Sequence, residues 1–330
     1  MFSHMKSGAY KRIYEDGIHL LTTISILIIL WYHHIEYVTK PIYDIPQGLN
    51  DALASFAIGS FVFISGFKLI NSNRSILAVR YIQNRFLRIF PLYYVALLIF
   101  ALLLRYPMSW EKLFIQLFGG QLIFPLAFGP FLPTLWFVGL ISFYYFLFLL
   151  LRLFCDSKIK YIFVSSTLYL ILFILSTNPL TANRIIDPRL CLYFPYFVFG
   201  IYFGKYTANL GRYALLTVLI YVVAFAAPNI LLPFSHLFFW HILIILAVIQ
   251  TKLIKIVRKP IVFISFSSYA SYLFHRPIWH LMRLAYSEPT PLQHIYTIFL
   301  GIPTILVIGF YIQFLYVKIL KKFYHPQNTI

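Results

Sequence analysis

The sequence predicts an all-α protein, a polytopic membrane helix bundle of about ten transmembrane helices with both termini in the cytoplasm. Hydrophobic residues make up 61% of its 330 residues and charged residues only 11%, whereas a soluble domain carries about 25% charged residues. Apolar stretches of about 20 residues, the length that crosses a bilayer, recur along the chain. Basic residues lie mainly in alternate connections between these stretches, as topology determinants do.

Ten apolar segments are predicted to span the membrane, and prolines and glycines between them break the helices. No internal repeat and no connection long enough for a soluble domain occurs, so residues 1–330 are predicted to form a single transmembrane domain. The longest connection, 106–130, is too apolar for a plain loop and is predicted to re-enter the membrane or lie at its surface. The predicted spans are 18–38, 51–70, 89–105, 131–152, 160–177, 190–204, 213–228, 234–251, 261–282 and 293–317.

The distribution of basic residues orients this bundle. Of the 27 lysines and arginines, 20 fall on one side of the predicted topology and seven on the other. Because cytoplasmic loops carry the excess of basic residues, both termini are predicted to be cytoplasmic. The net charge of +18 is spread over the connections instead of forming one patch, so nucleic acid is not an expected partner. The first span has no small-residue cleavage site after it and is expected to remain in the mature protein.

The first predicted span ends in three ionisable residues, His33, His34 and Glu36, within the segment TTISILIILWYHHIEYV. One such side chain at the bilayer centre costs roughly 2.5–3.5 kcal/mol on insertion scales. At about 1.5 Å per residue, His33 lies roughly 22 Å along its span and His275 roughly 21 Å along the ninth span. The two histidines are therefore expected at one depth, in the outer half of the membrane. Either they have reached the interface, or they line a wet cavity and take part in chemistry.

Five segments, in order, resemble motifs of the acyltransferase-3 family, the integral membrane O-acyltransferases that modify surface sugars. The first ends in an aromatic residue followed by histidine, and the third carries an R-x-x-R pair before a proline. Together they extend over residues 18–280, and their order makes the resemblance more specific than any single segment. The segments are ILIILWYHH, FVFISGFKLI, RYIQNRFLRIFPLYYVALL, LWFVGLISFYYFLFLLL and FISFSSYASYLFHRPIW.

The resemblance implies a membrane-bound O-acyltransferase. It would move an acyl group, by expectation acetyl, from a cytoplasmic coenzyme A thioester to a hydroxyl of a surface glycan or its lipid-linked precursor. The expected partners are membrane lipid, the glycan acceptor and acetyl-CoA or another acyl-CoA as donor substrate; no metal and no permanently bound cofactor are expected, and no oligomeric state is predicted. A bacterial or archaeal inner membrane is the expected location. Two alternatives remain open, a transporter of glycans or lipid-linked sugars and an inactive scaffolding subunit.

His33 is the first choice for the general base, because it directly follows Tyr32 as the family histidine follows its aromatic residue. Glu36 shares the helical face of His33 and either holds the imidazole or is a solvated glutamate at the helix end. His34 points about 100° away from its neighbour, so only one of the two is expected to face the site. His275 is interpreted as a second catalytic or positioning residue, or as a structural histidine beside a proline.

Arg85 and Arg88 are the candidate residues for binding the donor, and Arg80 is a third. Positions i and i+3 share a helical face, and guanidinium forks suit phosphate groups, of which coenzyme A carries several. The R-x-x-R pair of the family has the same form. The alternative interpretation is that these arginines act only as topology determinants.

One position departs from the family pattern. The family carries a basic residue separated by ten residues from the first-helix histidine, and here Thr22 or Thr23 stands at that place. The nearest ionisable residue is His19, which is a candidate to substitute for the missing cation.

Overall fold

The computed structural model describes residues 7–34, 46–71, 78–106, 109–123, 132, 134–177, 186–206, 234–284 and 290–323. Within these ranges the chain forms α-helices, a 3-10 turn and short connections without any strand, in agreement with the predicted all-α class. The helices are α1 (Ser7–His34), α2 (Gln47–Asn71), α3 (Ala78–Leu102), α4 (Trp110–Leu117), α5 (Trp136–Arg152), α6 (Lys158–Thr177), α7 (Arg189–Leu192), α8 (Phe194–Tyr206), α9 (Phe234–Ile249), α10 (Lys255–Leu284) and α11 (Pro291–Phe323).

Several of these helices coincide with predicted membrane spans. Five are long and apolar enough to cross a membrane, at Tyr14–His34, Gly48–Asn71, Ala78–Leu102, Lys158–Thr177 and Thr297–Lys321. Two shorter apolar helices are found at Trp136–Arg152 and Trp240–Ile249. The predicted span 213–228 lies outside the described residues, and the span 261–282 falls within α10. The count of ten and the cytoplasmic termini remain predictions.

The predicted span 190–204 is divided between two helices. Helix α7 ends at Leu192, and α8 begins at Phe194. Pro195 lies in the first turn of α8, where a residue without an N–H group is tolerated because that group would have no intrahelical acceptor. The same proline removes a donor that a continuous helix would need. The break therefore follows from the sequence, although the apolar pattern alone predicted one span.

Helix α1 packs against α2, α9 and α10, and polar contacts fix it to the beginning of α10. The carboxylate of Asp16 accepts a hydrogen bond of 2.7 Å from Arg258 Nε and one of 3.3 Å from the backbone N–H of Leu253. His33 lies 17 residues beyond Asp16, and His275 lies 17 residues beyond Arg258. Because both helices rise equally per residue, this register brings the two histidines to the same level.

Close packing of small residues joins α2 to α8. A Cβ atom on Gly66 would lie 2.4 Å from the carbonyl oxygen of Phe197, and one on Gly200 would lie 2.2 Å from that of Phe63. Small residues at such positions let helix backbones approach each other in a membrane, where association depends on packing contacts. Gly66 and Gly200 thus allow the backbones of α2 and α8 to approach each other closely.

The segment after α3 folds back onto the bundle, which agrees with the prediction that 106–130 is not a plain loop. It contains α4 and a 3-10 turn at Gly120–Leu122. The hydroxyl of Tyr93, near the middle of α3, donates to the carbonyl of Gln116 over 2.7 Å. The buried amide of Gln121 donates to the carbonyl of Leu135 over 3.1 Å. Helix α4 and the turn thus pack between α3 and the start of α5.

Candidate active site

Two of the predicted site histidines meet where α1 and α10 run side by side. The imidazole rings of His33 and His275 are stacked, with centroids 5.0 Å apart and planes inclined by 28°. His275 has no exposed surface, whereas His33 is partly exposed. The expectation that these residues lie at one depth is confirmed, since they are in direct contact although 242 positions separate them in the chain.

Arg276 completes this cluster, which we name the histidine–arginine cluster (His33, His275 and Arg276). Its Nη2 atom lies 2.9 Å from His33 Nδ1. A guanidinium only donates hydrogen bonds, so His33 Nδ1 accepts, and the neutral ring carries its proton on Nε2. Arg276 is 6% exposed. The sequence patterns did not single out Arg276, although a buried arginine within a predicted span, directly after a candidate histidine, is itself a functional signal.

The backbone of α10 fixes the other ring of the cluster. His275 Nδ1 lies 2.7 Å from the carbonyl oxygen of Tyr272 and 3.3 Å from that of Ser271. Carbonyl oxygens only accept, so Nδ1 carries the proton and donates it. His275 Nε2 has no hydrogen-bond partner among the described residues. The two neutral imidazoles of the cluster therefore carry their protons on different ring nitrogens.

Aromatic and basic side chains continue from the cluster toward the predicted outer face. The Tyr272 ring lies 5.9 Å from that of His275, and its hydroxyl donates to the carbonyl of Thr134. Trp136 lies two residues after Thr134 and is partly exposed. The centroid of its ring lies 4.6 Å from the guanidinium carbon of Arg189. The Arg189 side chain is 41% exposed. An aromatic face beside a cation can bind a polar ligand that carries apolar ring faces, such as a sugar.

The neighbouring histidine has different surroundings. His34 is 2% exposed, and its ring stands edge-on to that of Trp279 with the centroids 5.0 Å apart. One histidine of the pair thus belongs to the cluster and the other packs against a different residue of α10, as the helical geometry predicted. Glu36, which was predicted either to hold the imidazole of His33 or to be a solvated glutamate at the helix end, lies outside the described residues.

The three candidate donor-binding arginines lie in different environments. Arg85 is half-buried, and its guanidinium carbon lies 5.4 Å and 5.5 Å from the ring centroids of Tyr81 and Tyr145. It lines a cavity of about 130 Å³. Arg85 Nε has no hydrogen-bond partner among the described residues. Arg80 and Arg88 are exposed. The prediction that all three bind one donor remains a prediction, and Arg85 alone lines this cavity.

Thr22 and Thr23 stand where the family pattern has a basic residue on the first helix, and both make hydrogen bonds. Thr22 donates to the carbonyl of Ile18 in its own helix over 2.7 Å. Thr23 donates to the carbonyl of Ile261 in α10 over 3.0 Å. His19, the candidate substitute for the cation, has its Nδ1 atom 2.9 Å from the Ser265 hydroxyl oxygen. The departure thus adds polar contacts between α1 and α10.

The thiol of Cys155 does not offer a reactive nucleophile. It follows the end of α5, is 2% exposed and donates to the carbonyl of Leu151. Burial raises the pKa of this thiol to about 11, so it stays protonated at neutral pH. Because the thiolate is the reactive form, Cys155 acts as a small buried side chain.

The fold and the site define a helical integral membrane protein whose polar centre is built from histidine and arginine. The family model described as an acyltransferase domain, Acyl_transf_3, matches residues 15–314, nearly the whole chain. The chain therefore belongs to the acyltransferase-3 family and is a membrane acyltransferase at the level of that family. Neither a curated protein nor a solved structure matches the chain significantly.

Proposed function

We propose that the protein is a membrane O-acyltransferase that moves an acyl group, acetyl in the first instance, from a cytoplasmic coenzyme A thioester to a hydroxyl of a surface glycan or its lipid-linked precursor. The observation that carries the proposal is the histidine–arginine cluster within a largely apolar bundle. Ionisable residues inside a membrane are costly and usually functional. A bacterial or archaeal inner membrane is the proposed location, because it separates a cytoplasmic donor from an external acceptor.

The donor is proposed to bind from the cytoplasmic side. The phosphates of coenzyme A prevent it from crossing the apolar core, so only its acyl arm is expected to reach between the helices. Arg85 supports this route because its guanidinium lines a cavity and Nε is not engaged by the described residues. Arg80 and Arg88, exposed in the same helix, are proposed to attract the remaining phosphate charge from the aqueous side.

The acceptor is proposed to enter from the outer face, past Trp136 and Arg189. A hydroxyl of the glycan would then meet the thioester at the histidine–arginine cluster. Histidine is suited to take the hydroxyl proton because its unperturbed pKa is near neutral, and general base catalysis typically contributes 10²–10⁴-fold. The thioester is already activated, so the reaction needs no nucleophile from the protein. Glu36 is proposed to orient an imidazole of the cluster.

Substitution of the cluster histidines tests this proposal. His33→Ala and His275→Ala are each expected to lower acyl transfer by 10²–10⁴-fold, because each removes a group from the reacting centre. The measurement is transfer of labelled acetyl from acetyl-CoA to the polysaccharide fraction, in membranes that hold equal amounts of each variant. His280→Ala, a substitution in the same helix but outside the cluster, is the matched control. Undiminished transfer in both cluster variants would contradict the proposal, as would export of glycan without acylation.

A further inference from the structure

We infer that Arg85 and Ser142 together form a pantoyl site, which recognises the segment of coenzyme A that joins its phosphates to the first amide of the acyl arm. The inference rests on the proposed function and names the part of the donor that the cavity beside Arg85 holds. The sequence patterns did not single out Ser142, which lies in α5. The assignment follows from the polar atoms of this cavity that have no partner among the described residues.

Ser142 carries a buried hydroxyl that makes no hydrogen bond to the described residues. The residue is 7% exposed, and its Oγ atom lacks a partner within the described part of the chain. By contrast, Ser165 in α6 is also 7% exposed, and its hydroxyl donates to the carbonyl of Tyr161 over 2.7 Å. Because burial of an unpaired hydroxyl is unfavourable, the state of Ser142 indicates a partner that does not belong to the chain.

The cavity that Ser142 lines also contains a cation. Arg85 lines the same space of about 130 Å³, and its buried Nε atom has no hydrogen-bond partner among the described residues. One water molecule needs roughly 10–15 Å³ of such space, so the cavity has room for a segment of a ligand. Two polar groups of different chemistry thus line one space of ligand size.

The cavity lies between α3 and α5, which run antiparallel here. Near the start of α3, the Tyr81 ring lies 5.8 Å from that of Phe148. Further along α3, Phe90 and Gly139 both lie within 4 Å of a Cβ position on Gly119. The cavity therefore has a Tyr81 end and a Phe90 end, and the charge distribution predicts that the Tyr81 end is the cytoplasmic one.

The cation and the hydroxyl lie at different levels of this cavity. The guanidinium carbon of Arg85 lies 5.4 Å from the ring centroid of Tyr81 and 5.5 Å from that of Tyr145. Ser142 precedes Tyr145 by three residues, which corresponds to roughly 4.5 Å along α5 toward the Phe90 end. A ligand that enters from the Tyr81 end therefore meets the cation first and the hydroxyl about one helical turn deeper.

Apolar side chains form the walls of the cavity. The rings of Phe86 and Phe90 are stacked with their centroids 4.7 Å apart, and Ile89 and Phe118 also line the space. Ligand pockets usually combine apolar walls with a few polar groups that fix the orientation of the ligand. The ligand that fits is thus an anion, followed by a compact apolar group and then by a hydroxyl or an amide.

The phosphopantoyl segment of coenzyme A has this order of groups. Its phosphate suits the guanidinium of Arg85, and the carbon with two methyl groups that comes next suits the walls of Phe86 and Phe90. The hydroxyl and the amide carbonyl beyond it can form hydrogen bonds with Ser142, whose hydroxyl both donates and accepts. Ser142 therefore distinguishes a donor that carries pantetheine from other molecules that carry phosphate.

Calorimetry with parts of the donor tests this inference. Full-length wild type and Ser142→Ala protein in lipid nanodiscs are titrated with coenzyme A, with phosphopantetheine and with the adenosine bisphosphate that forms the rest of coenzyme A. We expect Ser142→Ala to weaken binding of the first two ligands about tenfold, the contribution of one hydrogen bond, and to leave the third unchanged. Ser165→Ala is the matched control and should bind all three ligands as the wild type does.

Thermal unfolding and kinetics separate a ligand contact from a structural role of Ser142. Ser142→Ala removes an unpaired buried hydroxyl, so without the donor it should unfold at the temperature of the wild type or higher. It should raise KM for acetyl-CoA about tenfold and leave kcat nearly unchanged, because the contact binds substrate and transition state equally. A lower unfolding temperature would show that the hydroxyl serves packing and would overturn the inference.

The outcomes also separate the pantoyl site from the function on which it rests. Equal affinity of the wild type and Ser142→Ala for phosphopantetheine, with acetyl transfer intact, would overturn the inference and leave the proposed function standing. Equal weakening of all three ligands would overturn it too, because the adenosine half does not contain the pantoyl segment. A tenfold loss confined to the two pantetheine ligands, in a protein that acylates no glycan, would support the site and contradict the proposed function.

Discussion

At the scale of single residues, the chain places its polar groups where a neighbour determines their chemistry. The sequence predicted that His33 and His275 share a depth, because counting residues along two spans requires only helical rise. It did not predict the contact between Arg276 and His33, since the partners are 243 positions apart and a hydrogen bond depends on the rotation of each helix. The depth of a residue could thus be predicted, whereas the tautomer required coordinates.

The cavity beside Arg85 leads to a prediction about the donor. Arg85→Ala is expected to weaken coenzyme A binding by about 1.5–3 kcal/mol, the contribution of a hydrogen bond to a charged group. Arg88→Ala should cost less than about 1 kcal/mol, because exposed ion pairs contribute little. Arg85→Lys should restore only part of the affinity, since the planar fork is lost. Calorimetry on the purified variants measures these changes.

A comparison with Lys160→Ala, an exposed residue at the start of α6, separates a specific contact from a general loss of positive charge. If Arg85→Ala and Lys160→Ala have the same small effect, the donor does not use the cavity. In that case the arginines before the third span act as topology determinants, which is the alternative that the sequence left open.

At the scale of helices, the lengths of the apolar segments predicted the positions of most described helices. The exceptions depend on single residues and on hydrogen bonds between helices. The break at Tyr193 between α7 and α8 depends on Pro195, and hydropathy over a long window does not register one proline. The fold-back of α4 was foreseen only as a segment too apolar for a loop, because its hydrogen bonds to α3 join residues 23 positions apart in the chain. The contact between Asp16 and Arg258 had no signal in the sequence, yet it sets the register of α1 and α10.

The start of α1 allows a test of that register. A Cβ atom on Gly17 would lie 2.0 Å from the carbonyl oxygen of Ile249 at the end of α9, a backbone atom that cannot rotate away. Gly17→Ala is therefore expected to destabilise the bundle by about 1–3 kcal/mol, as overpacking does. It should also lower acyl transfer, because α1 must shift and His33 moves with it. Thermal unfolding in detergent and the transfer assay measure the two effects.

Gly48→Ala in α2 is the matched control, because no atom of the described residues lies within 4 Å of a Cβ atom at that position. Alanine is the better helix former by about 1 kcal/mol, so this variant should be at least as stable as the wild type. Equal stability of the Gly17→Ala and Gly48→Ala variants would show that the close approach of α1 and α9 is not required.

At the scale of the whole molecule, the proposed reaction needs a direction across the membrane. The match to the acyltransferase-3 family extends over residues 15–314, so the same chain carries Arg85, the cluster and Trp136. If both termini are cytoplasmic, as the charge distribution predicts, Arg85 would face the compartment that holds acyl-CoA, and Trp136 and Arg189 would face the proposed acceptor. An inverted chain would place the donor site outside, where no coenzyme A is available.

Cysteine labelling tests this orientation. In a chain with Cys155→Ala and Cys191→Ala, a single Asn183→Cys substitution is expected to react with a membrane-impermeant maleimide added to intact cells. Asn183 lies in the connection 178–188, which the charge distribution places outside. A single Ser157→Cys substitution, in the turn between α5 and α6, should react only after the cells are permeabilised. Labelling of position 157 but not of position 183 in intact cells would invert the topology and exclude acyl transfer from the cytoplasm to the exterior along this path.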